Sequence, residues 1–201
     1  MEFDLTGGVY LARAYKLLAG LVTPRPIAWV TTHDEEGLVN AAPFSFFNLL
    51  GTDPPMLGFA PGDRAVGIPK DTARNIRRTG EFVVNLVDEA CAEAMNLTSA
   101  ELPPGENELV HAGLRTAPSH SVGPPRIAEA PVALECTEWS TLEMGGNRLV
   151  IGLIRHAYVR EGVLDPETLL VDPAAYAPIG RMEVPAGYCR TRDRFDMPRP
   201  R

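Results

Sequence analysis

The chain has 201 residues, of which 45% are apolar and 22% charged, proportions that exclude global disorder and collagen-like order. That length buries a sizeable core without a disulfide or metal staple, and no run reaches the roughly 18 uncharged apolar residues of a membrane helix. With 19 basic and 26 acidic side chains the net charge is −7, so a basic groove for nucleic acid has no basis outside residues 190–201.

The N-terminal stretch MEFDLTGGVYLARAYKLLAG lacks the basic region and apolar core of a secretory signal. A cytoplasmic protein of one domain, residues 1–201, is therefore expected. Its 18 Gly and 19 Pro punctuate the chain into short segments. RPIAWVTT at 25–32 is rich in β-branched and aromatic residues and runs into the polar turn HDEEG, which reads as a strand and its end. LVNAAPFSFFNLL, then the apolar run MLGFA at 56–60, continue the β pattern. DTARNIRRT at 71–79 reads as a helix, with Asp71 as its N-cap and Gly80 as its stop. GEFVVNLV at 80–87 is a strand, and DEACAEAMNLT at 88–98 a second helix opened by Asp88. Residues 99–130 are rich in Pro, Gly and Glu and read as a long excursion with little regular structure. PVALECTEWSTLEM at 131–144 and NRLVIGLIRHAYV at 147–159 flank Gly145-Gly146 and predict a long β-hairpin. The end, from Arg190 onward, is rich in Arg and Pro and reads either as a solvated tail or as a docking arm. Many short strands and few helices point to a small antiparallel barrel.

Cys91, Cys136 and Cys189 are far apart and form no CxxC pair, so neither structural zinc nor a dithiol motif is expected. Cys91 and Cys136 read as small buried apolar residues. The four histidines show no ligand spacing. No GxSxG elbow, GxGxxG fingerprint or GxxxxGK[ST] loop is present, and no acid–base pair can be singled out among the 26 carboxylates.

Two anion-ready elements remain. Lys70-Asp71-Thr72 opens a predicted helix, where free N–H groups and the positive dipole end favour a phosphate. Lys70 would add a point charge and Thr72 a hydroxyl donor, while the plainer reading has Asp71 capping the helix and Lys70 solvated. The other element is Asn40-Ala41-Ala42-Pro43-Phe44-Ser45-Phe46-Phe47-Asn48, whose small residues and proline admit a planar ligand close to backbone. Alone it reads equally well as a core strand.

Taken together and in order, TPRPIAWVTT, NAAPFSFFN, DPPMLGF, KDTARNI, GEFVVNLV, LEC at 134–136, NRLVIG at 147–152 and RTRDRFDMPRP resemble the flavin reductase-like, FMN-binding split-barrel family. The resemblance implies a six-stranded antiparallel Greek-key barrel, a homodimer, and FMN held non-covalently at the subunit interface. It places Pro43, Phe44, Ser45 and Phe46 against the flavin and Asn40 near its ring. Lys70, Asp71 (through backbone) and Thr72 fall on the phosphate side. Arg25 and Trp29 match the first strand beside the flavin, Trp29 reading equally well as barrel core. Arg181 matches a late arginine, although RMEVPAGY at 181–188 departs from the family's usual loop. Asn147 stands where many relatives have a histidine, and His156 reads as a barrel-wall residue. The activity implied is oxidoreduction in which NAD(P)H passes a hydride to bound FMN. An FMN-holding electron carrier with a redox partner protein, and a non-redox relative without flavin, are the alternatives.

Overall fold

The computed structural model of the chain describes residues 1–65, 67–102 and 106–200; residues 103–105 of the expected excursion and residue 201 of the tail lie outside these. Two helices come first, α1 (Gly8–Leu11) and α2 (Ala14–Leu21). Neither was expected. Arg13 offers α2 no side-chain cap, and its first and last turns lack the acidic and basic residues that mark helix ends. Its last carbonyls are met through the fold instead: Arg25 Nη1 donates to the carbonyls of Ala19 and Val22.

Strands β1 (Ala28–His33) and β2 (Val39–Phe44) form an antiparallel pair, as do β3 (Phe47–Thr52) and β4 (Pro55–Phe59). The short strands β5 (Asp63–Ala65) and β6 (Ile68–Pro69) lead into α3 (Asp71–Thr79). Gly80 ends α3 in the left-handed region at φ 71° and returns its N–H to the Ile76 carbonyl, the usual reason for glycine at that position. The N-cap is Lys70 rather than the expected Asp71, which is the first helical residue. Strand β7 (Glu81–Leu86) follows, then a 3₁₀ turn at Glu89–Cys91 and α4 (Ala92–Leu97). The helix expected over 88–98 is thus in two pieces, with the Asp88 carboxylate accepting from the Cys91 N–H as anticipated. Among the described residues of 99–130, only α5 (Glu108–His111), β8 (Thr116–Ala117) and β9 (Arg126–Ile127) are regular. The long hairpin is present as β10 (Val132–Met144) and β11 (Asn147–Val159), turning at Gly145 with φ 61°. A last pair, β12 (Ile179–Arg181) and β13 (Tyr188–Arg190), closes the element list.

The main sheet has seven strands in the order β2-β1-β7-β10-β11-β4-β3, one more than the six expected, and its pairs are antiparallel. β2 and β3 lie on opposite edges of this order, yet only Ser45 and Phe46 separate them in the chain. Three residue steps span at most about 11 Å. The two edges must therefore meet, which curls the sheet into a barrel that is closed by the chain and split between β2 and β3.

Two buried clusters fill the molecule. Ala28, Val30, Phe44, Leu57, Phe59, Phe82, Val84, Cys136 and Val150 pack inside the barrel with Ile76 of α3. Ile27, Trp29, Val87, Cys91, Met95, Leu109 and Ile127 form a second cluster outside the barrel wall. β1 contributes alternate residues to each, so both its faces are buried and its sequence reads as a continuous apolar run. The excursion accordingly covers the barrel wall, with Leu109, Ile127 and Ala130 in the second cluster. Asn85 of β7 ties it down, accepting from the Ile127 N–H at 2.9 Å and donating to the Trp29 carbonyl at 2.9 Å.

Candidate functional site

A cleft of about 710 Å³ opens between β2, the β5 segment, the start of α3 and residues 98–102, 106 and 108. Its volume is in the range of small-molecule and cofactor sites. Five of the expected site residues line it: Asn40, Pro43, Lys70, Asp71 and Thr72. Residues 30 apart in sequence meet there because α3 packs across β1 and β2.

The floor is a chain of directed hydrogen bonds. Thr72 Oγ1 donates to Asn40 Oδ1 at 2.9 Å, and Asn40 Nδ2 donates to Glu108 Oε1 at 3.2 Å. Asn75 Nδ2 donates to Thr32 Oγ1 at 3.1 Å. Thr72 thus stands in the wall of the cleft with its hydroxyl bonded to Asn40. Asn75 is 2% exposed, and its Oδ1 has no partner among the described residues.

The rim is electrostatic. Lys70 makes no side-chain bond to the first turn of α3, and the first helical bond runs from Arg74 N–H to the Lys70 carbonyl at 3.0 Å. The amides of Asp71, Thr72 and Ala73 precede that bond, so an anion can be received there by N–H groups and the helix dipole. The Asp71 carboxylate is engaged by two arginines: Oδ2 accepts from Arg64 Nη2, and Oδ1 is ion-paired with Arg74 Nη2, both at 2.7 Å. Lys70 Nζ lies 5.9 Å from the centre of the Phe44 ring, a ring otherwise packed in the barrel core.

The remaining expected residues sit elsewhere. Arg25, 6% exposed, spends its guanidinium on the carbonyls of Ala19, Val22 and Met182 and, at 3.4 Å, on Ser45 Oγ. It pins α2 to the seam between β2 and β3. Ser45 and the exposed Phe46 form that seam and do not line the cleft. Trp29 is fully buried and donates its indole N–H to Thr98 Oγ1 at 2.9 Å. Of the two readings open for it, the core one is what this chain shows, since no surface is left to offer a ligand. Arg181 donates to the carbonyls of Gly187 and Pro185, both at 2.8 Å, and so holds the 182–187 loop against itself. His156 stands on the barrel wall, its ring stacked 4.6 Å from that of His120. Among the described residues no group of three potential metal ligands exists.

Arg64, Arg74, Asn75 and Glu108 were missed from sequence. Arg74 was within reach, since Asp71 and Arg74 stand three apart on a helix. Glu108 and Arg64 were not, because neither has a sequence neighbour in the cleft motifs.

The sequence model of a family described as flavin reductase-like domain matches residues 20–180. An uncharacterized protein of Deinococcus radiodurans is 47% identical over 98% of this chain and 89% of its own length. The crystal structure of 2-nitrobenzoate 2-nitroreductase NbaA from Pseudomonas fluorescens superposes with a TM-score of 0.89 at 38% identity, covering 100% of this chain and 96% of that one. Nitrilotriacetate monooxygenase component B from Bacillus cereus superposes with a TM-score of 0.91 at 30% identity, covering 98% of each.

Proposed function

The chain belongs to the flavin reductase-like family, and on that premise we propose that it is a single-domain, FMN-dependent oxidoreductase fed by NAD(P)H. A flavin-linked oxidoreductase or electron-transfer role is the coarser reading that the family and its neighbours support. The observation that carries the finer one is the convergence of Asn40, Pro43, Lys70, Asp71 and Thr72 on one cleft. The fit is chemical as well as spatial. Lys70 and the first-turn amides of α3 suit a phosphate, and Asn75 Oδ1, without a partner among the described residues, suits a hydroxyl or N–H donor beside it.

When bound, FMN supplies the hydride acceptor that no side chain here provides. The chain's own share is binding and orientation. Lys70 and the amides fix the phosphate end, Pro43 lines the wall, and the Thr72–Asn40–Glu108 chain braces that wall. We extend the proposal to a homodimer. Tyr15, Leu18, Leu21, Phe46, Leu49 and Leu50 are exposed apolar residues on α2, the seam and the edge strand β3, and a second copy would cover them. No helix among the described residues is long and apolar enough to cross a membrane.

Anaerobic mixing of the FMN-loaded protein with NADH and, separately, NADPH tests the activity. Bleaching of the flavin band by either donor is expected. Reduction by dithionite alone would favour an electron carrier served by a partner protein, and a chain that takes up no flavin would sink the reading. Light scattering at micromolar concentration should give twice the chain mass.

A further inference from the structure

We propose that Asp71 selects which flavin the cleft accepts, favouring one that ends in a single phosphate (FMN) over one that carries a pyrophosphate (FAD). This rests on the flavin reading above. A terminal phosphate offers three free oxygens and a charge near about −2, matched to Lys70 and the three amides ahead of the first helical bond of α3. A phosphate inside a pyrophosphate offers two free oxygens and one charge, and a second phosphate must follow it to the rim.

At the rim the choice of cations is narrow. Besides Lys70, the cations lining the cleft among the described residues are Arg64 and Arg74. Both are held by the Asp71 carboxylate at 2.7 Å. The acidic residue Asp63 is ion-paired with Arg148, and the other charged side chains of the wall, Asp34, Glu101, Glu106 and Glu108, are all acidic. A second phosphate would therefore meet two guanidiniums already neutralised in part by Asp71, with the Asp71 charge between them. A terminal monophosphate is served without disturbing that arrangement. Asn75 supplies an independent sign that the cleft is built for a ligand: its side chain is 2% exposed, lines the same wall, and leaves Oδ1 without a partner among the described residues.

Removing the Asp71 charge frees both arginines for a second phosphate. Dissociation constants for FMN and FAD, read by quenching of flavin fluorescence, are compared for the wild-type chain, Asp71→Asn and Asp71→Ser. A further variant combines Asp71→Asn with Arg64→Gln and Arg74→Gln. The wild-type chain should bind FMN about ten-fold or more tighter than FAD, and each Asp71 variant should narrow that ratio by about ten-fold through tighter FAD, the size of one charge-assisted hydrogen bond. The combined variant should return FAD to its wild-type affinity, which loss of a merely structural ion pair would not do. Wild-type binding of FAD as tight as FMN, or a ratio unmoved in both Asp71 variants, overturns the inference while leaving the flavin reading intact. A wild-type chain that binds neither flavin overturns both.

Discussion

Lys70 is one of only two lysines in the chain, and it stands beside backbone donors that precede the first helical bond. Lys70→Ala should weaken FMN binding about ten- to hundred-fold, the equivalent of roughly 1.5–3 kcal/mol for a charge-assisted hydrogen bond. The melting temperature should hold, since the lysine caps nothing through its side chain. An unchanged dissociation constant by equilibrium titration would remove it from the site. The neighbouring residues show what a sequence can and cannot disclose at this scale. The start of α3 was legible to within one residue because a helix start has local signals, although the cap is Lys70 and not Asp71. The bond from Thr72 to Asn40, 32 positions away, has no local signal, because only the packing of α3 on β2 brings the two together. Arg25 was expected on the first strand beside the flavin, and its guanidinium serves the carbonyls of Ala19, Val22 and Met182, which no local pattern announces.

Strands β7, β10 and β11 were legible almost to the residue, since their alternation and the Gly145-Gly146 turn are properties of short windows. α2 was not, because its cap is Arg25 rather than anything in its own sequence. Gly152 shows how tightly these strands meet. It lies in β11 opposite Glu138 of β10 and Leu57 of β4. A Cβ placed there would collide with Phe82 Cζ, come within 3.0 Å of Phe82 Cε1 and within 3.3 Å of Cys136 Cβ. Phe82 and Cys136 are fully buried and have no free direction in which to give way. Gly152→Ala should therefore destabilise by about 1–3 kcal/mol, the usual cost of overpacking a core. Urea unfolding would show this as a lower midpoint with an unchanged slope. A wild-type midpoint would mean that the strands can part without penalty.

For the molecule as a whole, the two clusters on either side of β1 divide the core, and each holds a cysteine: Cys91 outside the barrel wall and Cys136 within. Both were expected from sequence to be small buried apolar residues, and both are. Burial, helped by the nearby Asp88 charge, pushes the Cys91 thiol from 9.0 to about 12. Burial, helped by Glu135, pushes the Cys136 thiol up as well. The Tyr176 phenol rises from 10.0 to about 12, through burial first and then Asp88. Each folded value lies above its unfolded one, so the stability these groups contribute is fully present below pH 9 and is lost as pH rises. Above that point the unfolded chain gives up thiol protons that the folded chain keeps. The loss approaches about 1.4 kcal/mol per pH unit for each group whose unfolded form has ionised. The cysteines start this decline near pH 9 and the phenol adds to it from near pH 10. The urea midpoint should accordingly stay level from about pH 7 to 8.5 and then fall with increasing steepness towards pH 11. A thiol reagent at about pH 8 should reach Cys189, the half-buried cysteine, well before the other two, and all three should react once the chain is unfolded. A midpoint still level near about pH 10.5 would mean that the two thiols ionise as readily in the folded core as in water.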